Sequence, residues 1–129
     1  MKNAVHQLLE RDGMVLGICN GFQALVKSGL LPYGEIRDLD ADSPTLAHNA
    51  IGRHISQMVD VKVINDDSPW LKGMKDQVFT IPISHGEGRF VASEKVLQEL
   101  YENGQIATQY IDHDGKIAHG MPFNPNNSL

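Results

Sequence analysis

The sequence predicts an α/β domain with a mostly parallel sheet flanked by helices, on three observations. The apolar run Met14-Val15-Leu16-Gly17-Ile18 passes directly into a segment with Phe22, Leu25 and Val26 at helical spacing, which is the order of a buried strand feeding a crossover helix. Val59, Val61 and Val63 alternate with Asp60 and Lys62, as in a strand with one face on a core. A second helical stripe, Val96, Leu97 and Leu100, lies between two strand-like stretches.

In chain order, Val5 to Arg11 reads as the end of a helix stopped by Asp12-Gly13. Met14 to Ile18 is expected to be a strand buried on both faces, and Gly21 to Lys27 the helix after it. Ser28-Gly29 ends that helix and Pro32 prevents its restart. Tyr33 to Asn49, with Asp38, Asp40, Asp42, Ser43 and Pro44, reads as an exposed loop. Ile51 to Ile64 carries the alternating strand. Ser68-Pro69-Trp70-Leu71 has the cap and first-turn proline of a short helix, with Trp70 as a core anchor. Gln77 to Ile83 is a strand, and Pro82 places it at an edge. Ser84 to Phe90 is a polar, glycine-bearing loop. Ser93 caps a helix that Asn103-Gly104 stops, Gln105 to Ile111 is a strand, and Asp112 to Gly115 is a turn. The tail from Met121 is rich in Pro and Asn. No linker divides the chain, so residues 1–129 read as one domain.

Composition narrows the function. Hydrophobic residues make up 41% and charged residues 21%, which is a globular balance. A net charge of −5 and scattered basic residues argue against a nucleic-acid partner. No apolar run approaches the roughly 20 residues of a membrane span, and Met1 to Gln7 lacks a signal-peptide core. One cysteine excludes an internal disulfide and a thiolate zinc site, and it fits a reducing cytoplasm. His48, His54, His113 and His119 share no ligand spacing, so no metal site is expected. The acidic run Asp38 to Asp42 lacks the Gly and distal Glu of a calcium loop. Gly86-x-Gly88 is too short for a dinucleotide fingerprint.

The chemistry concentrates in Gly17-Ile18-Cys19-Asn20-Gly21-Phe22-Gln23. A thiol at a sharp strand-to-helix turn sits where small neighbours let a substrate approach and a helix start favours negative charge. The competing reading is a structural cysteine packed behind the helix, since free Cys is among the most buried residue types.

This segment resembles the nucleophile motif of class I (triad) glutamine amidotransferases, Gly-x-Cys-x-Gly-x-Gln. With Asn20 and the following Phe-Gln-Ala-Leu it is similar to one branch, the glutaminase domain of phosphoribosylformylglycinamidine synthase. Ile81 to Phe90 resembles that branch's second signature loop, and Ser68 to Leu71 and Pro122 to Asn126 fit it too. The resemblance runs from about Asp12 to Asn126. It implies a flavodoxin-like α/β domain and hydrolysis of glutamine to glutamate and ammonia. Cys19 would be the nucleophile and the Asn20 N–H an oxyanion donor. Gly17, Gln23, Ser84, His85 and Gly86 would bind the substrate. The synthetase domain would be the partner, and ATP and Mg would act there, with no cofactor in this piece.

Two departures qualify the likeness. The family's triad His and Glu lie in a His-Pro-Glu motif that this sequence does not contain, and no strand–helix units precede Met1. The expectation is therefore a partial amidotransferase domain with little glutaminase activity of its own, and His85 is not promoted to the triad. An incomplete sheet would leave edges and apolar faces on which the chain could self-associate. The alternatives are a Cys-elbow α/β protein of the protease or chaperone superfamily, or a non-catalytic interaction module.

Overall fold

The computed structural model describes residues 2–128. Its elements are α1 (Lys2–Glu10), α2 (Asn20–Lys27), α3 (Leu30–Tyr33), β1 (Thr45–Ala47), β2 (Ile55–Val63), β3 (Val78–His85), β4 (Arg89–Val91), α4 (Glu94–Glu102) and β5 (Thr108–Ile111). The strands form two sheets, one with the order β3-β2-β5 and a smaller one pairing β1 with β4.

The central strand β2 follows from its pattern. Ile55, Val59, Val61 and Val63 are buried, while Ser56 and Met58 on the opposite face are exposed. Directly opposed residues share a face, so Val61 lies between Phe79 of β3 and Tyr110 of β5. Over this face lies α4, whose Leu97 and Leu100 line an apolar cavity of about 330 Å³ with Val61, Ile81, Phe22 and Phe90. On the reverse face the Thr80 hydroxyl donates to the Asp60 carboxylate across 2.6 Å. Pro82, without an N–H, sits on edge strand β3 as its sequence implied.

Helix ends follow the expected chemistry. The Val96 N–H donates to the Ser93 hydroxyl at 3.4 Å, and Gly104 beyond the helix takes φ 66°. The α2 helix ends at Ser28, and Gly29 with φ 83° turns the chain away. Leu31 breaks the short α3 with φ −112° and ψ 128°, as expected of a residue before proline.

The α/β class stands, but the pairings need correction: every strand pair among the described residues is antiparallel. Parallel pairing was inferred from the elbow unit, and its segment Met14 to Ile18 forms no strand. No described strand lies beside it to accept its ladder bonds, so its side chains stay in water, with Ile18 73% exposed. Ser68 to Leu71 makes successive turns rather than a helix, with the Leu71 N–H donating to the Ser68 carbonyl. Trp70 is 51% exposed there and anchors no core. The stretch read as a loop before Asn49 contains β1, whose three residues pair with β4.

Candidate functional site

At the elbow, Cys19 occupies the N-cap position of α2 with φ 54° and ψ −117°. A non-glycine residue at positive φ is strained, and such strain concentrates where a side chain must be presented. The turn closes with the Gly21 N–H donating to the Ile18 carbonyl at 2.9 Å and the Gln23 N–H to the Cys19 carbonyl at 3.3 Å. No side chain caps the helix start. The Asn20 N–H donates to no other described residue and so remains available beside the sulfur. Cys19 is exposed rather than packed behind the helix, which removes the structural-cysteine reading.

The two elbow glycines differ. A Cβ on Gly17 would lie 2.5 Å from the Leu25 side chain and 2.8 Å from the Gly21 backbone, whereas a Cβ on Gly21 would meet nothing within 4 Å. Gly17 therefore lets the incoming chain lie against α2, whereas the space at Gly21 is open.

The second loop is shorter than the expected Ser84 to Phe90. Ser84 and His85 end β3 and Arg89 and Phe90 open β4, because both strands find partners. Only 86–88 turn, and strand register sets their place. Ala47 pairs with Arg89 and Ile55 with His85, so the connection 48–54 must lie alongside 86–88. Gln23 joins this loop to the elbow: its side-chain amide donates to the Glu87 carbonyl at 3.1 Å. Residues 64 positions apart in sequence are thereby held together. Gly88 sits against His85, where a Cβ would be 2.7 Å from the ring. His48 and Glu87 form an exposed pair at 3.4 Å, beside an open pocket that His54 and Arg53 also line.

Ser84 and His85 do not act on one side. As successive strand residues they project to opposite faces. Ser84 joins a polar cluster, with its hydroxyl 2.9 Å from the His54 ring and 2.8 Å from the Ser56 hydroxyl. His85 turns inward, where its Nδ1 is 2.9 Å from Asn49 Oδ1 and the Asn126 amide nitrogen is 3.3 Å from its Nε2. Both Asn residues are buried; neither is assigned a site role from sequence, although Asn126 closes the Pro122-to-Asn126 segment that fits the family. Asn49 sits in a loop without periodicity, and Asn126 lies in a Pro- and Asn-rich tail whose composition gives no sign of burial.

Burial, and secondarily the nearby His54, push the His85 imidazole below its ordinary value of 6.5. The unfolded chain therefore takes up this proton first as pH falls. The stability His85 contributes is present above the unfolded value, about 6.5, and is lost as pH drops from there toward the folded value. Urea unfolding midpoints are expected to fall as pH drops below about 6.5, and His85→Gln should flatten that slope. An unchanged slope in the variant would contradict this assignment.

Among the described residues no helix is long and apolar enough to cross a membrane, and no group of three His, Cys, Asp or Glu side chains is placed to hold a metal ion.

Comparison with known proteins matches residues 1–129 to the family described as the CobB/CobQ-like glutamine amidotransferase domain. A phosphoribosylformylglycinamidine synthase subunit PurQ from Gloeobacter violaceus is 41% identical over 98% of this chain and 49% of its own length. The protein of the same name from Treponema denticola is 43% identical over 89% of this chain and 47% of its own. The structure of PurLQS from Thermotoga maritima superposes with a TM-score of 0.62 at 28% identity, covering 95% of this chain and 51% of that one. The chain thus spans about half the length of the curated relatives it matches.

Proposed function

This chain belongs to the CobB/CobQ-like glutamine amidotransferase domain family, and from that premise we propose that it carries the nucleophile and part of the glutamine site of phosphoribosylformylglycinamidine synthase. The observation that carries the reading is the hydrogen bond from the Gln23 side chain to the Glu87 carbonyl, which joins the Cys19 elbow to the Ser84-to-Gly88 loop. A cysteine turn alone would fit many enzymes, but one coupled through Gln23 to this loop fits glutamine.

The Cys19 sulfur adds to the side-chain carbonyl carbon of glutamine. The oxygen that becomes negative is met by the Asn20 N–H at the start of α2. Collapse breaks the C–N bond, expels ammonia with a proton from a general acid, and leaves a glutamyl thioester. Water then cleaves the C–S bond to give glutamate and restore the thiol. The 86–88 turn, through its backbone N–H groups, holds the amino-acid end of the substrate, with His85 packed behind that backbone. No described residue hydrogen-bonds the Cys19 thiol, so the base for both steps is not among the described contacts.

The ammonia serves ATP-dependent formation of formylglycinamidine ribonucleotide in purine biosynthesis. ATP and Mg²⁺ act in the synthetase partner, and the chain works in the cytoplasm. The relatives' names, a synthase subunit and a PurLQS structure, support a synthetase partner.

The test is covalent labelling with a diazo-ketone analogue of glutamine. The expected result is a single adduct on Cys19, slowed by free glutamine and absent in Cys19→Ala. Labelling that glutamine does not slow, or reaction of Cys19 with peroxide alone, would favour a Cys-elbow protein of another class.

A further inference from the structure

We propose that Asn49 is a positioning residue for the second loop: it fixes the 85–86 backbone and holds His85 in the Nδ1–H form. The inference deepens the glutamine-site reading given above and rests on it for its functional part.

Asn49 is 3% exposed, and most of its polar groups face this segment. Its N–H donates to the Gly86 carbonyl at 2.8 Å. Its side-chain nitrogen donates to the His85 carbonyl at 2.7 Å and the Arg53 carbonyl at 2.8 Å. Two carbonyls facing one amide nitrogen set the orientation of the amide, because a flip would point an oxygen at both of them. Asn49 Oδ1 therefore faces His85 Nδ1 at 2.9 Å as an acceptor, and that ring nitrogen must carry the proton.

Asn126, 1% exposed, packs its side-chain nitrogen against the same ring, 3.3 Å from Nε2 and 3.4 Å from Nδ1. Lying nearly equidistant from both ring nitrogens, it confines the imidazole without choosing between them, so the tautomer is set by Asn49. Gly88, with no Cβ to strike the ring, lets the chain turn past it.

The consequence falls on the loop backbone. The carbonyls of His85 and Gly86 are taken by Asn49 and that of Glu87 by Gln23. The N–H groups of Gly86, Glu87 and Gly88 donate to no other described residue. In a trans peptide the N–H points opposite to the carbonyl, so a loop with its carbonyls engaged by protein donors turns its N–H groups the other way. Asn49 in this way decides that the loop offers donors, not acceptors, to the substrate.

Two measurements test this on the whole chain. Imidazole ¹⁵N spectra, with His85 assigned from His85→Gln, are expected to show a neutral ring protonated at Nδ1 near pH 7.5. A ring protonated at Nε2 would overturn the proposal without any Asn49 variant. In Asn49→Ala, the concentration of glutamine-analogue diazo-ketone needed for half-maximal labelling of Cys19 should rise about tenfold. Its limiting rate, and the rate with iodoacetamide, should change less than about twofold, because the elbow is untouched. A general loss of structure would move the iodoacetamide rate as well. An unaltered half-maximal concentration in a folded variant sinks the positioning role. Should the unsubstituted chain ignore the diazo-ketone altogether, the glutamine reading falls, and the ¹⁵N spectra still decide whether Asn49 sets the tautomer.

Discussion

Replacing Gly17 by alanine is expected to destabilise the chain by about 1–3 kcal/mol, the usual range for forcing extra volume into a packed contact. The new methyl group would lie 2.5 Å from the Leu25 side chain and 2.8 Å from the Gly21 carbonyl carbon and oxygen. The side chain can rotate, but the helix backbone cannot yield without tilting α2. Because α2 carries Gln23, a tilt also pulls its amide from the Glu87 carbonyl. Loss of labelling at Cys19 should therefore accompany loss of stability. Gly21→Ala is the control: its methyl group meets nothing within 4 Å, and alanine in a helix is favoured over glycine by roughly 0.5–1 kcal/mol. Chemical unfolding of the two variants checks the contrast. Equal destabilisation would mean that the close approach of Gly17 to α2 is not as described.

Val63→Asp should abolish cooperative folding, with a loss above about 4 kcal/mol. Val63 ends the central strand at 0% exposure, and its own backbone groups are engaged with the Gln77 carbonyl and the Asp76 N–H. A carboxylate there has no cationic partner on its face of the sheet. The neighbouring Lys62 points the opposite way, to a part-exposed bridge with Asp76 at 2.7 Å. Lys62→Ala should cost less than about 1 kcal/mol. A cooperative thermal transition in Val63→Asp close to that of the unsubstituted chain would refute the placement of the core.

What could be read in the sequence divides along a physical line. Elements whose partners are encoded nearby, or whose pattern is strong, form where expected: β2 from its valine alternation, α4 between Ser93 and Gly104, and edge strand β3 from Pro82. Met14 to Ile18 has the composition of a buried strand, yet burial depends on neighbours that the local pattern does not contain. The elbow was legible because a thiol between glycines at a helix start has few other uses. The link from Gln23 to Glu87 was legible as two motifs but not as a bond, since it rests on a main-chain carbonyl that no side-chain pattern reports. Asn49 and Asn126 were not legible as site residues. They lie buried beside His85, and polar residues in loops ordinarily signal exposure.

The placement of Trp70 has a practical outcome. The indole already sits half in water, among turns away from the hydrophobic centre, and it is the one such chromophore in the chain. Its emission should differ little in wavelength between native and denatured protein, so a fluorescence melt would register almost nothing while the β2 sheet came apart. Far-ultraviolet dichroism, which follows the backbone, is the optical signal that tracks this molecule's unfolding.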